Sequence, residues 1–453
     1  MLPDSWQKRL VDMNVEKLKE VDILWADYVF ISAMLVQQGS VLEVVKLCKF
    51  LNRKIVAGGP LFSAGYCNFD EIDHFVLDEA EATLPLFLSD LENGFLRKVY
   101  RSEKKLELGN TPVPLWNLIN AKKYVSMSVQ YSRGCPFNCE FCDIGFLFGR
   151  QQRTKSKDQL LAELDSLRDM GWREGVFFAD DNFIGNKDKL KKEILPSLIK
   201  WRKENDYPFT FSTEASVNLA DDEEVMDLMV EAGFRTVFLG IETPEEESLT
   251  ECGKFHNKNR DLVSCIKRIQ RKGMEVQGGF IVGFDSDKPS IFERQIQLIQ
   301  KSGIVTAMVG ILEAARGTKL YHRLSQEGRL LKDASGNNID FSINFEPKID
   351  PKILAVGYKK IVSTLYSPKY YYQRVSNFLD NYRSRVKTKV RFRLYYLQAF
   401  LRSLWFLGIK ESGQIYFWKL IIWTLVNHPG YFPLAINFAI QGYHFRKVHA
   451  KYF

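Results

Sequence analysis

No secretory leader is expected from the opening residues: Met1-Leu2-Pro3-Asp4 is not followed by a basic stretch and an apolar run, the pattern an exported protein carries. The sequence also lacks a disulfide framework. Seven cysteines are an odd number for 453 residues, and three of them fall within positions 135–142. That distribution points to a reducing compartment, the cytoplasm, and to a metal role. Low-complexity tracts are missing, and 45% hydrophobic with 26% charged residues is the composition of a folded protein, long enough for two or three domains. Acidic residues are scarce at the end: from Tyr366 onward, fourteen Lys and Arg face only Asp380 and Glu411. The net charge of +8 therefore conceals a basic tail on a slightly acidic body. Such a tail is either a solvated helical face or a seat for an anionic surface, membrane or nucleic acid. Leu420–Phe445 has no Asp, Glu, Lys or Arg, but Asn427-His428-Pro429-Gly430 and Pro433 interrupt it, so it predicts two short helices rather than one membrane span.

What is present falls into blocks. Residues 1–108 alternate short apolar runs with helical patterns: Arg9–Met13, Tyr28–Ser32, Lys54–Ala57 and His74–Leu77 read as strands, Gly39–Asn52 and Ala82–Asn93 as helices. That alternation predicts a doubly wound parallel sheet. Residues 109–123, with Thr111-Pro112-Val113-Pro114, read as an extended linker. Residues 124–335 repeat a strand–helix unit six times. Its strands are Ser126–Tyr131, Val176–Ala179, Phe209–Thr213, Thr236–Gly240, Val276–Val282 and Ala307–Leu312. Six such units predict an open, partial (β/α)6 TIM-like barrel whose active face lies at the strand C-termini. Residues 336–453 read as a helical region, basic and rich in aromatics.

Directly after the first of those strands comes Arg133-Gly134-Cys135-Pro136-Phe137-Asn138-Cys139-Glu140-Phe141-Cys142. Cysteines at this spacing can wrap one cubane iron–sulfur cluster within a short loop, and three thiolates leave one iron open to a substrate group. A zinc site or an electron-transfer cluster would recruit a fourth Cys or His at close spacing, and the sequence offers none nearby. Cys48, Cys67, Cys252 and Cys265 read as buried small hydrophobes.

Cys-x3-Cys-x-Phe-Cys, with Phe141 before the last cysteine, resembles the signature of the radical S-adenosylmethionine (SAM) superfamily. The resemblance implies that Cys135, Cys139 and Cys142 hold a [4Fe–4S] cluster whose open iron chelates SAM. One electron then splits SAM into methionine and a 5′-deoxyadenosyl radical, which abstracts hydrogen from an unactivated carbon. It implies further that Asp180-Asp181-Asn182 receives the methionine amine, that Glu214 and Glu242 bind ribose or ammonium, and that Gly279 and Gly283 border the adenine. Carboxylates that cap helices and glycines that turn the chain are the plain alternatives at those positions.

The first block is similar to the cobalamin-binding domain of one branch of that superfamily, with Ser32 in Val29–Met34, Gly58 and Gly59 in Ala57-Gly58-Gly59-Pro60, and Asp78-Glu79-Ala80-Glu81 as the matching pieces. Asp12-Met13-Asn14-Val15-Glu16-Lys17 lacks the Asp-x-His-x-x-Gly of domains that supply a histidine to cobalt. Arg9–Met13 matches the branch's second strand, so its first would be missing: a truncated flavodoxin-like domain with an open sheet edge. Cys139–Ile144, Leu147–Arg150 and Asp180–Asn186 resemble the group of hopanoid C-2 methylases and bacteriochlorophyll methylases. That implies methyl transfer through cobalamin to a lipid or tetrapyrrole-like carbon, with flavodoxin or ferredoxin as electron donor. Glu313-Ala314-Ala315-Arg316-Gly317-Thr318 departs from the Pro-rich turn the group has at the substrate end. Radical oxidation, cyclisation or rearrangement of a small apolar substrate is the alternative reaction. The basic aromatic tail suits peripheral contact at the inner membrane face. A tRNA-modifying enzyme would need three more cluster cysteines in the first block, which makes nucleic acid an unfavoured partner, and a cluster-bearing binding protein is the non-enzymatic reading.

Overall fold

The structure, a computed structural model, describes residues 1–337, 341–384 and 394–451. It comprises two compact units. Unit 1 holds residues 1–175, 179–181 and 313–337; unit 2 holds 176–178, 182–312 and 338–453.

In unit 1, β1 (Tyr28–Ser32), β2 (Lys54–Gly58), β3 (His74–Val76) and β4 (Val99–Tyr100) form a parallel sheet in the order β1-β2-β3-β4. The central strand β2 buries Ile55, Val56 and Ala57 in succession, as a parallel strand covered on both faces does. Helix α1 (Gln38–Phe50) turns Val41, Val44, Val45 and Cys48 toward it; α2 (Pro60–Gly65) and α3 (Ala80–Asn93) follow β2 and β3. Cys48 and Cys252 are buried as expected; Cys67 is exposed and Cys265 half-buried, and both depart from the expectation. Cys67 lies on the short turn Tyr66–Asn68, where no core element covers it.

Arg9–Met13 does not form the expected strand. The Asp12 carboxylate accepts from the Asn14 N–H at 3.0 Å and from the Tyr124 hydroxyl at 2.7 Å, and the Asp12 carbonyl takes the N–H groups of Val15 and Glu16. A local turn of this kind competes with strand pairing. The segment instead walls a cavity of about 1040 Å³ that is also lined by β1, α1, Trp116 and Met127. β1 is thus an edge strand, with Phe30 39% exposed.

Further along unit 1, β5 (Ser126–Val129) leads into a small antiparallel hairpin, β6 (Ser132–Arg133) with β7 (Arg153–Thr154), and α4 (Lys157–Asp169) opens on a Ser156–Gln159 capping box. Unit 2 carries β8 (Gly175–Phe178), β9 (Thr210–Ala215), β10 (Phe234–Glu242), β11 (Glu275–Val282) and β12 (Ala307–Ile311) in the order β12-β11-β10-β9-β8. Between them run α5 (Leu195–Glu204), α6 (Glu223–Ala232), α7 (Leu262–Lys272) and α8 (Ile291–Ser302). The side chains of Asp222 and Asp261 cap α6 and α7, and Gly233, Gly273 and Gly303 end α6, α7 and α8 with positive φ.

The tail is helical: α9 (Pro351–Tyr366), α10 (Pro368–Asn381), α11 (Leu394–Trp405) running into a π-turn at Phe406–Lys410, α12 (Gln414–Asn427) and α13 (Phe432–His449). The apolar run is two helices, as its sequence predicts, and no helix among the described residues is long and apolar enough to cross a membrane. The tail packs onto the β12 side of unit 2. The hydroxyls of Tyr358 and Tyr366 donate to the Val309 and Ala307 carbonyls at 3.1 and 2.7 Å. The fully buried Arg374 donates to Leu365 and Val305 carbonyls.

Candidate active site: the cysteine loop and the strand ends

The cysteine loop begins at Gly134, where φ is +92° and a Cβ would lie 2.6 Å from the Gln151 carbonyl oxygen; only glycine fits. The loop is tied at several points: Cys135 N–H to the Gly149 carbonyl at 3.4 Å, Cys142 N–H to the Cys139 carbonyl at 3.2 Å, and Leu320 N–H to the Glu140 carbonyl at 2.9 Å. Arg323 grips the Glu140 carboxylate at 2.6 and 3.1 Å. Phe141 is half-buried between the second and third cysteines.

Burial pushes the Cys142 thiol up to about 12, with Asp143, Cys139 and Cys135 adding to the rise. The three thiols therefore sense one another. Three half-buried sulfurs on one loop, with the Cys142 thiol resisting ionisation on its own, suit a cationic iron centre, which holds thiolates deprotonated. Among the described residues no three His, Cys, Asp or Glu side chains form a preassembled metal-binding group; the cysteines share a loop rather than a closed ligand cage.

Asp180 and Asp181 lie beneath this loop. Asp180, 1% exposed, accepts from the Tyr131 N–H at 3.3 Å and from the N–H and hydroxyl of Ser132. Burial raises its carboxyl to about 7. Asp181 accepts from the Gly134 N–H at 2.7 Å, and burial raises it to about 6. Both hold the backbone that enters the loop.

The same unit holds two bidentate ion pairs. Arg153 meets the buried Glu79 at 2.6 and 2.8 Å, and Arg133 meets Glu81 at 2.7 and 3.0 Å. Glu79 and Glu81 follow β3. At the same end of the sheet, Ser32 pairs in register with Gly58. Added Cβ atoms would meet the Val76 carbonyl at 2.6 Å from Gly58, and Ser32 Oγ at 2.9 Å from Gly59, whose φ is +91°. Ser32, Gly58 and Gly59 thus form one edge of small residues, with strand packing sufficient to require both glycines.

In unit 2, the Asn182 side chain donates to the Ser216 hydroxyl and accepts from the Ser216 N–H, each at 3.2 Å. Glu214 is exposed at the end of β9. Glu242 ends β10 with φ +64° and is buried in an ion pair with Lys254. Its carbonyl accepts from Gln295 at 3.0 Å, and Asn257 donates to the Gly240 and Ile241 carbonyls at 3.1 Å. A non-glycine residue held at positive φ is strained and needs such over-determination. Gly279 lies against the Phe238 ring, 3.0 Å from where a Cβ would stand. Gly283 has φ +106° and donates to Asp287 at 2.8 Å, so its glycine requirement is already met by the turn.

Residues 129–307 match the model of the radical SAM superfamily, and residues 318–452 match a domain of unknown function, DUF4070. The chain is 40% identical to an uncharacterized methyltransferase of Synechocystis, over 98% of this chain and 84% of the relative. It is 33% identical to the hopanoid C-2 methylase of Rhodopseudomonas palustris, over 94% and 82%. The chain belongs to the radical SAM superfamily. Solved radical SAM structures share its fold. The methyltransferase TsrM of Kitasatospora setae, with cobalamin and a [4Fe–4S] cluster bound, matches with TM-score 0.60 and 14% identity over 94% of this chain and 89% of that one. The cobalamin-dependent enzyme OxsB matches with TM-score 0.62 and 13% identity over 95% and 73%. The chain is therefore a radical SAM enzyme with the superfamily's TIM-like α/β fold and parallel sheets, followed by a helical C-terminal region, and its cofactors include a [4Fe–4S] cluster and SAM. Sequence reasoning passed over Lys254, Asn257, Gln295 and Asp287, which no short motif announces. A buried acid such as Glu242 demands a cation, and that demand was the available signal for Lys254.

Proposed function

We propose that this enzyme is a cobalamin-dependent C-methyltransferase acting on an unactivated carbon of an apolar substrate, a lipid or a tetrapyrrole-like ring. One observation carries the reading: Arg133–Glu81 and Arg153–Glu79 tie the sheet end bearing Ser32, Gly58 and Gly59 to the hairpin that opens the cysteine loop. A methyl donor and a radical source must be held in one register, and two bidentate pairs, the Arg153–Glu79 one buried and the Arg133–Glu81 one half-buried, supply stiffness. Cys135, Cys139 and Cys142 hold the cluster, while Asp180 and Asp181 set the loop's entry. Asn182, Glu214, Glu242, Gly279 and Gly283 border SAM, and Phe141 packs the loop. When bound, the cluster supplies the electron that splits SAM, and cobalamin supplies the methyl group. The corrin would rest on the Ser32–Gly58–Gly59 edge of a flavodoxin-like domain spanning 1–108, followed by the 109–123 linker, the 124–335 barrel and the 336–453 helical region. The electron comes from a small carrier such as flavodoxin or ferredoxin, and an apolar substrate places the enzyme in the cytoplasm at the inner membrane face.

A second reading, radical oxidation, cyclisation or rearrangement without methyl transfer, is favoured by the edge position of β1 beside the cavity. Anaerobic reconstitution with iron, sulfide, SAM and hydroxocobalamin separates the two. Methyl transfer predicts SAM cleavage, stable corrin retention through gel filtration, and a product heavier by one methylene. SAM cleavage with no corrin retained would remove the methyl-transfer reading and leave the second.

A further inference from the structure

Helix α12 is apolar almost all round, yet only one of its faces is covered. Phe417, Leu420, Ile421 and Thr424 are buried, while Ile415, Trp418, Ile422, Leu425 and Val426 are 40% to 74% exposed. The exposed set recurs at three- and four-residue spacing, which makes it one continuous stripe. Only Gln414, Lys419 and Asn427 share the exposed side.

The stripe continues onto the π-turn that ends α11. Trp418 donates from its indole N–H to the Gly408 carbonyl at 3.0 Å, so α12 and the turn lie side by side. On that turn Phe406 and Ile409 are 43% and 56% exposed, next to Trp405 at 51%. The Lys410 ammonium stands over the Trp405 and Phe406 rings at 5.6 and 5.5 Å. An uncovered stripe of this size on a water-soluble surface marks an interaction site.

Its rim identifies the partner. Arg402, Lys410 and Lys419 are exposed around the stripe, and Glu411 is the sole acidic residue between Leu394 and Asn427. Apolar side chains flanked by tryptophans and fringed with Lys and Arg have the composition of a segment lying in a bilayer interface, with cations on lipid phosphates. Fourteen residues of α-helix extend about 21 Å, short of the ~30 Å hydrocarbon core, and Pro429 breaks the chain after it. A helix of that length lies along a bilayer rather than across it.

We propose that α12 and the end of α11 dock this enzyme on an anionic membrane surface, Trp405 and Trp418 at headgroup depth and Arg402, Lys410 and Lys419 on phosphates. The seat rests on these helices alone, independent of methyl transfer. The remaining basic cluster of the tail, 383–393, lies outside the described residues from position 385 on.

The test is flotation of the full chain with vesicles of phosphatidylcholine, alone or with one part in three of phosphatidylglycerol, at low and high salt. Expected is flotation with the anionic vesicles, weakened by salt and about tenfold or more by the Ile422→Asp/Val426→Asp double variant, each lost side chain removing apolar burial. The Lys410→Glu/Lys419→Glu variant should lose flotation on anionic vesicles while its thermal melt and SAM cleavage in lipid-free buffer stay at wild-type level. No flotation with anionic vesicles, or flotation untouched by either variant, overturns the proposal. A wild-type dimer in light scattering that Ile422→Asp/Val426→Asp splits would also overturn it, because the stripe's occupant would then be a second copy. Loss of SAM cleavage across all proteins would instead count against the radical SAM chemistry and leave the flotation result standing.

Discussion

Asp287 accepts hydrogen bonds from the Gly283 and Phe284 N–H groups and from the Ser248 hydroxyl inside a turn that water scarcely reaches. Burial outweighs these bonds and raises its carboxyl to about 6. The consequence for stability has a definite sign. The native state keeps a proton that the unfolded chain releases near pH 4, so stability from this group is complete below pH 4 and drains away as pH rises to about 6. The amount is on the order of 2 kcal/mol. In urea unfolding of the cluster-free protein, the wild type should lose that much more stability between those pH values than Asp287→Asn, which has no proton to lose; parallel pH profiles would contradict the assignment. The same scale shows what a single sequence conceals. Gly283 is visible as part of a glycine-flanked strand, but its partner Asp287 and the Lys254 beneath Glu242 become functional only by folding. Ser248 reaches Asp287 from 39 residues away and Lys254 pairs with Glu242 across 12, so no short motif records them.

Elements were far more legible. The five strands of unit 2 and the helices between them follow the apolar periodicity, because aspartate caps and glycine stops are local devices that need no tertiary partner. Arg9–Met13 failed for the complementary reason: an apolar run reads as a strand, yet Asp12 closes a turn on its own neighbours before a pairing partner is met. The β6–β7 hairpin joins both kinds of information. Its cysteines are legible by spacing, while the need for Gly134 comes from the segment leading into β7, whose Gln151 carbonyl fills the place of a side chain. Gly134→Ala combines positive φ with a backbone clash that no rotamer relieves, at a cost of about 2 kcal/mol or more. The element pays locally: reconstituted Gly134→Ala should hold far less iron than wild type while its far-ultraviolet circular dichroism is unchanged. Normal iron content in this variant would show that the hairpin tolerates displacement of that segment.

At the scale of the whole molecule, the two compact units are interleaved along the chain, each resuming after the other. Linear blocks in a sequence cannot express that. The clearest instance is Glu140, which sits between the second and third cysteines and is held by Arg323, 183 residues downstream, and by the Leu320 N–H of the same helix. The cysteine loop is therefore finished only when a segment beyond β12 returns to unit 1. Two magnitudes separate what that closure does. The Arg323–Glu140 pair is partly exposed, 29% and 17% by side chain, so as a stability element it contributes only about 1 kcal/mol or less. As a support for the loop proposed to carry the cluster ligands it acts one residue from Cys139, and removing a partner that orients metal ligands lowers metal retention about tenfold or more. Arg323→Ala should accordingly unfold in urea nearly as wild type does, yet lose iron much faster to a chelator. Arg323→Lys, which keeps the charge but not the two-pronged grip, should fall between them. Equal loss of stability and iron retention would mean that the helix Lys319–Gln326 braces unit 1 as a whole, with no special hold on the loop.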